Sequence, residues 1–163
     1  MTLAVPQRTR RNVPSASKQR LRLWLRLLRA SRAIESELRD RLRRTFGITL
    51  PQFDVMAALA RAPEGMTMTE LSRVLMVSNG NSTGIIERLV ADGFVAREAI
   101  PGDRRGVRVR LTADGSARFA NMADVHEGWV DELLSEFDKA EAEVLIGHLD
   151  GLASRIRDGG KRP

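Results

Sequence analysis

Residues 67–112 constrain the fold most, because a helix-turn-helix pattern there runs directly into a two-stranded ribbon. Thr67-Met68-Thr69-Glu70 has the Thr-x-x-Glu spacing of a capping box. Leu71, Val74 and Leu75 form the apolar side of the helix it starts. Met76-Val77-Ser78 carries the connection, and Ser78 or Asn79 caps a second helix predicted to reach about Asp92. Ile85, Ile86, Leu89 and Val90 bury its inner side, and Gly93 supplies a left-handed exit. Strands are predicted over 94–98 and 107–111, the second alternating Val107, Val109 and Leu111 with Arg108 and Arg110. Between them lies Pro101-Gly102-Asp103-Arg104-Arg105-Gly106.

That arrangement suits double-stranded DNA. The N-terminal end of the second helix leaves Asn79, Asn81, Ser82 and Thr83 facing outward, and amides and hydroxyls both donate to and accept from base edges. Asn81 can read adenine. A Ser/Asn/Thr cluster that merely caps a helix is the competing interpretation. Gly80 and Gly84 lie within the same helix, each at a cost of up to about 1 kcal/mol relative to alanine. The ribbon projects Arg104 and Arg105, a pair that alone would be an ordinary solvated hairpin tip.

Composition points the same way. The chain has 163 residues, a formal net charge of +6 and a pI near 11.0, which favours polyanionic partners. Arginine carries nearly all the positive charge, and its planar fork matches phosphate and guanine edges. With no cysteine, thiol redox sensing, disulfides and thiolate metal sites are excluded. No apolar run reaches the roughly 18 residues of a membrane span, and no secretion signal is evident, so no membrane partner and a cytoplasmic location are expected.

Outside this region the pattern is helical. Residues 1–16, with Pro6, Pro14, Arg8, Arg10 and Arg11, read as a mobile basic tail. A long amphipathic helix is predicted over 17–46, with Leu21, Trp24, Leu25, Leu28, Ile34, Leu38 and Leu42 at helical spacing and arginines on the other faces. Gly47 ends it, and Leu50-Pro51 opens a short buried helix carrying Phe53, Val55, Met56 and Leu59. Beyond Thr112 a helix to about Glu136 carries Phe119, Met122, Val125, Trp129, Val130 and Leu133. A last helix carries Val144, Leu145, Leu149, Leu152 and Ile156. These stripes are too apolar to stay solvated, and pairing across a two-fold axis would cover them; Leu21, Leu25, Leu145, Leu149 and Leu152 are the candidate dimer residues.

Residues 17–156 resemble the MarR (multiple antibiotic resistance regulator) family of winged-helix transcription factors. The resemblance rests on Asp103-Arg104-Arg105, on Val107-Arg108-Val109-Arg110-Leu111-Thr112 and on Leu111-Thr112-Ala113-Asp114-Gly115. It implies a mainly α fold with a small β-wing: a winged helix-turn-helix DNA-binding domain over 49–111, and a helical dimerisation region over 17–48 and 112–158. It also implies a homodimer with recognition helices in successive major grooves, Arg104 in a minor groove, and Asp103 and Arg105 orienting the wing or contacting phosphate. The DNA-contact candidates are therefore Ser78, Asn79, Asn81, Ser82, Thr83, Arg88, Arg104 and Arg105. Gly84 departs from the family pattern, where a polar or basic residue often stands.

Within the family, three segments resemble regulators of aromatic-acid breakdown, some of which respond to aryl-CoA thioesters. They are Leu23-Trp24-Leu25-Arg26-Leu27-Leu28, Thr49-Leu50-Pro51-Gln52-Phe53-Asp54 and His126-Glu127-Gly128-Trp129-Val130. The candidate effector residues are Trp24, Arg22, Arg26, Arg29 and Asp54, since arginines can hold a carboxylate or the phosphates of coenzyme A. The competing reading makes Trp24 and Trp129 core or dimer residues, Asp54 a cap or ion-pair partner, and the arginines a solvated face. His126 and His148 are the only histidines and stand in different helices, so no metal site and no cofactor are expected.

The expected function is a homodimeric repressor, released from a pseudo-palindromic operator by a small aromatic carboxylate or aryl-CoA. One rival is an architectural DNA binder without a ligand. The other is an enzyme acting on a CoA-linked substrate. The enzyme is disfavoured because the chain lacks a phosphate-loop lysine motif, a cysteine nucleophile and a His-Glu-x-x-His helix.

Overall fold

The computed structural model describes residues 15–75, 79–100 and 103–159, with backbone alone for 79–82 and 103–105. Met76, Val77, Ser78, Pro101, Gly102 and residues 1–14 of the expected 1–16 tail lie outside the described residues, while Ala16 already begins the first helix. Among the described residues, six helices and three strands follow in the order α1 (Ala16–Phe46), α2 (Leu50–Ala60), β1 (Met66–Thr67), α3 (Met68–Leu75), α4 (Asn79–Ala91), β2 (Val95–Ile100), β3 (Asp103–Leu111), α5 (Ala113–Leu133) and α6 (Lys139–Gly159). The chain divides into two units, residues 1–37 and 38–163. No helix among the described residues is long and apolar enough to cross a membrane.

The helix ends follow from local chemistry. Gly47 and Gly93 adopt φ of 70° and 77°, so the left-handed exits expected after α1 and α4 are both present. Thr67 and Glu70 form the expected capping box. The Thr67 N–H donates to Glu70 Oε2 at 2.8 Å, and the Glu70 N–H donates to Thr67 Oγ1 at 3.2 Å. These hydrogen bonds, to backbone first and hydroxyl second, hold the Glu70 carboxyl below its ordinary pKa. A second box, not foreseen, starts α2: the Thr49 N–H donates to Gln52 Oε1 at 2.8 Å and the Gln52 N–H to Thr49 Oγ1 at 3.4 Å.

The sheet is antiparallel in the order β1-β3-β2. Val95 opposes Leu111, and the register runs to Glu98 opposite Arg108 and Ala99 opposite Val107. A bulge between Ala99 and Ile100 then sets Ile100 opposite Asp103. Both ribbon strands are longer than the alternation implied. The two-residue β1 is an addition, with Met66 opposite Val109 and Thr67 opposite Arg108. Gly65, at φ 77°, admits this pairing, because a Cβ there would lie 2.7 Å from the Val109 carbonyl oxygen.

The core of the second unit joins Leu42 at the end of α1 with Phe53, Val55, Met56 and Leu59 of α2, Leu71 of α3, Ile86 and Leu89 of α4, Val95, Val109 and Leu111 of the sheet, and Met122 of α5. Removing each such side chain from water contributes about 2 kcal/mol. Two residues assigned to apolar faces are instead exposed. Val74 lies on the outside of α3, where Ser72 is buried in its place, and Val107 lies beyond Val109, past the end of the β1 pairing. The stripe along α1 also divides, with Leu38 and Leu42 buried but Leu21, Trp24 and Leu25 more than half exposed.

His126 stacks on Phe53 with ring centroids 4.6 Å apart, and Phe53 in turn lies 5.5 Å from Phe119. Burial lowers the His126 pKa from its ordinary 6.5. The unfolded chain therefore takes up this proton first, so the stabilisation is complete above pH 6.5 and is lost as pH falls through the folded value. His126→Phe should keep the stacking and remove that acid-side loss. Thermal melts at pH 5 and pH 8 check this, and an equal acid-side drop in both proteins would acquit His126.

Candidate nucleic-acid interface

The second helix of the motif and the ribbon that follows it present the candidate contacts. α4 begins at Asn79, so the backbone of Asn79, Asn81 and Ser82 occupies its first turn, where unpaired N–H groups concentrate positive potential. Thr83, Gly84, Glu87 and Arg88 are exposed along the same helix, while Ile86 and Leu89 fasten it to the core. Nothing lies within 4 Å of a Cβ built on Gly84, so that face is open. Asp103, Arg104 and Arg105 form the start of β3, at the far end of the ribbon from its Val95–Leu111 root.

Several arginines in this region are already engaged. Arg88 Nε lies 3.1 Å from Asp92 Oδ2, one helical turn on, and its two Nη groups are not part of that contact. Arg97 Nη2 lies 4.0 Å from Glu87 Oε1, tying β2 to α4. Across the sheet, Arg110 pairs with Glu98 at 2.5 Å, and Arg108 donates to the Glu64 carbonyl at 3.4 Å. The outer face of the ribbon is therefore partly neutralised along its shaft. These pairs are exposed and each contributes at most about 1 kcal/mol.

The other candidates fall on different elements. Arg22, Trp24, Arg26 and Arg29 are exposed in the N-terminal unit, together with Leu21 and Leu25. Asp54 is exposed on α2 in the second unit. Leu145, Leu149 and Leu152 are exposed on α6, no residue of which is buried. Two contacts were missed by sequence reasoning. Arg41 makes a two-pronged bond to Glu132 at 2.6 and 3.2 Å, which holds the Glu132 carboxyl below its ordinary pKa. Arg118 donates to the Phe46 carbonyl at 2.8 Å. Their spacings of 91 and 72 residues leave no local signal.

The profile of the MarR family matches residues 46–106, which span the end of α1 through the ribbon tip. A MarR family transcriptional regulator from Silicibacter pomeroyi has a crystal structure that superposes with a TM-score of 0.73. It is 30% identical, over 88% of this chain and 99% of that one. The chain belongs to the MarR family. It is also 30% identical to the helix-turn-helix transcriptional regulator PecS of Dickeya dadantii, over 80% of this chain and 76% of that protein. The transcriptional activatory protein BadR of Rhodopseudomonas palustris is 36% identical, over 79% of this chain and 72% of its own length. A mutant of Escherichia coli MarR crystallised with operator DNA superposes with a TM-score of 0.72 at 28% identity, over 85% of this chain and 99% of that one. This MarR-family chain is thus a DNA-binding transcription regulator with a winged helix-turn-helix fold, and its relatives are regulators rather than enzymes.

Proposed function

We propose that the protein acts as a homodimeric repressor that covers a pseudo-palindromic operator and leaves it when a small aromatic carboxylate or its CoA thioester binds. The carrying observation is the pairing of an open recognition helix, α4, with a ribbon whose tip holds Asp103-Arg104-Arg105. Residues 49–111 would supply the DNA-binding domain. Ser78, Asn79, Asn81, Ser82, Thr83 and Arg88 would meet the major groove, Arg104 the adjacent minor groove, and Asp103 and Arg105 would orient the wing or contact phosphate. That a mutant of Escherichia coli MarR, similar in fold, was crystallised with operator DNA supports reading this chain as an operator binder.

The dimer reading rests on residues 17–48 and 112–158. α6 spends 21 residues without burying one, while Leu145, Leu149 and Leu152 lie exposed along it, and Leu21 and Leu25 are exposed on α1. A second copy would remove these side chains from water. For the effector, Trp24 offers a stacking surface, and Arg22, Arg26 and Arg29 offer forks for a carboxylate or for CoA phosphates; Asp54, in the other unit, is a separate polar candidate. An effector that favours a different spacing of the recognition helices would lower operator affinity a hundredfold through about 2.7 kcal/mol of coupling.

The test is binding to the DNA upstream of the protein's own coding sequence against a scrambled duplex across a salt titration, repeated with aromatic acids and their CoA thioesters. A preference of about a thousandfold, abolished by one compound, is expected. Equal affinity for both duplexes, unmoved by every compound, would make the protein an architectural DNA binder and end the sensing hypothesis.

A further inference from the structure

The last turn of α1, the exit from α4 and the first turns of α5 meet at Arg118. Its Nη2 donates to the Phe46 carbonyl at 2.8 Å, and its guanidinium carbon lies 5.1 Å from the centre of the Phe94 ring. Phe94 is the residue through which the recognition helix passes into the wing. Its N–H donates to the Leu89 carbonyl at 2.9 Å, and its carbonyl accepts from the Thr112 N–H at 3.0 Å. Thr112, the N-cap of α5, also donates its hydroxyl to the Gly93 carbonyl at 2.8 Å. α5 thus grips the exit of α4 at its own first turn, and Arg118 extends that grip to the end of α1.

Stability alone is a poor reason for an arginine here. Its Nε is buried with no hydrogen-bond partner among the described residues, and a partly desolvated guanidinium with an unpaired N–H is often replaced by an apolar chain of similar length at little net cost. What a planar fork anchored at two points supplies is direction.

We infer that Arg118 is a positioning residue for operator recognition: by joining the Phe46 carbonyl to the Phe94 ring, it sets the angle at which the recognition helix and wing are held. This inference rests on the operator reading above. A two-fold dimer must place its recognition helices about 34 Å apart to meet successive major grooves. A small rotation at the exit of α4 therefore costs specific affinity without any DNA contact being removed.

The experiment compares wild type with Arg118→Met and Arg118→Lys. Val55→Ala, which opens the core at a fully buried residue that is not itself a proposed contact, is the stability control. Each is melted thermally, then titrated with operator and with scrambled duplex over a range of salt. Arg118→Met should melt close to wild type, bind operator at least tenfold more weakly, bind scrambled DNA as before and keep the salt slope. Arg118→Lys should recover part of the loss. Three results overturn the assignment: wild-type operator affinity in Arg118→Met, a salt slope reduced by about 0.9, which would make Arg118 a phosphate contact, or an equal operator loss in Val55→Ala, which would make the effect one of stability. If wild type itself fails to prefer the operator, the operator reading falls, and this inference with it.

Discussion

Arg104→Ala is expected to weaken operator binding roughly thirtyfold, the equivalent of about 2 kcal/mol for one charge-assisted contact. It should lower the salt slope by about 0.9 if Arg104 neutralises one phosphate. Arg104 stands second in β3, at the end of the ribbon remote from its root. The melting temperature should stay where it is. Titrating operator and scrambled duplex separates two roles. A contact in the minor groove lowers the ratio between the two DNAs, whereas a phosphate contact weakens both alike. Unchanged affinity in a protein that still melts cooperatively would remove Arg104 from the mechanism.

Gly115→Val should damage the fold itself. A Cβ at Gly115 would overlap the Phe94 carbonyl oxygen and lie 2.8 Å from the Phe94 carbonyl carbon. Both are backbone atoms that cannot step aside without breaking the Thr112 N–H bond to the same carbonyl. Overpacking of this kind costs about 3 kcal/mol or more, a large share of the roughly 5–15 kcal/mol that holds a domain together. Gly128→Ala makes the matched comparison, since it also lies within α5 but meets nothing within 4 Å. There the change should stabilise by about 0.5–1 kcal/mol through helix propensity. Denaturant unfolding of the two variants checks both signs. A Gly115→Val protein as stable as wild type would show that α5 does not seat on Phe94 in solution.

That contact also gives a physical meaning to the Leu111-Thr112-Ala113-Asp114-Gly115 motif, one of those that carry the family resemblance. Thr112 caps α5 by accepting from the Gly115 N–H at 2.9 Å, and Gly115 lets the helix lie flush on the start of the wing. Such features were legible because each is written within a few residues. The Thr67 box, the Gly47 and Gly93 exits and the alternation of β3 belong to the same class. β1 was not legible, since two residues carry no periodicity and its partner strand lies some forty residues downstream. Val74 and Val107 misled because periodicity marks a face without saying where that face stops being covered. Arg118 and Arg41 looked like two more charges in an arginine-rich chain, and only the fold gives them the carbonyl and carboxylate they hold.

Among the candidate contacts, those on α4 and β3 could be proposed from sequence because one local pattern sets them side by side. The effector candidates had no such support. Trp24, Arg22, Arg26 and Arg29 share a helix but are defined by residue type alone, and aromatic or basic residues on a helix are equally at home in an interface or in solvent.

Thr67 does two jobs at once, pairing with Arg108 in the sheet and capping α3 with Glu70. The first helix of the reading motif is thereby stitched to the middle strand of the wing, and Arg97 with Glu87 adds a contact from β2 to α4. On the proposed operator reading, these contacts would resist sliding of helix against ribbon, and the two would meet the duplex as two prongs of set spacing. A mismatch between the prongs and a given stretch of DNA must then be absorbed by the duplex, through groove width and local bend. On this protein the stiffness of the operator's unread base pairs should matter as much as the identity of those it touches.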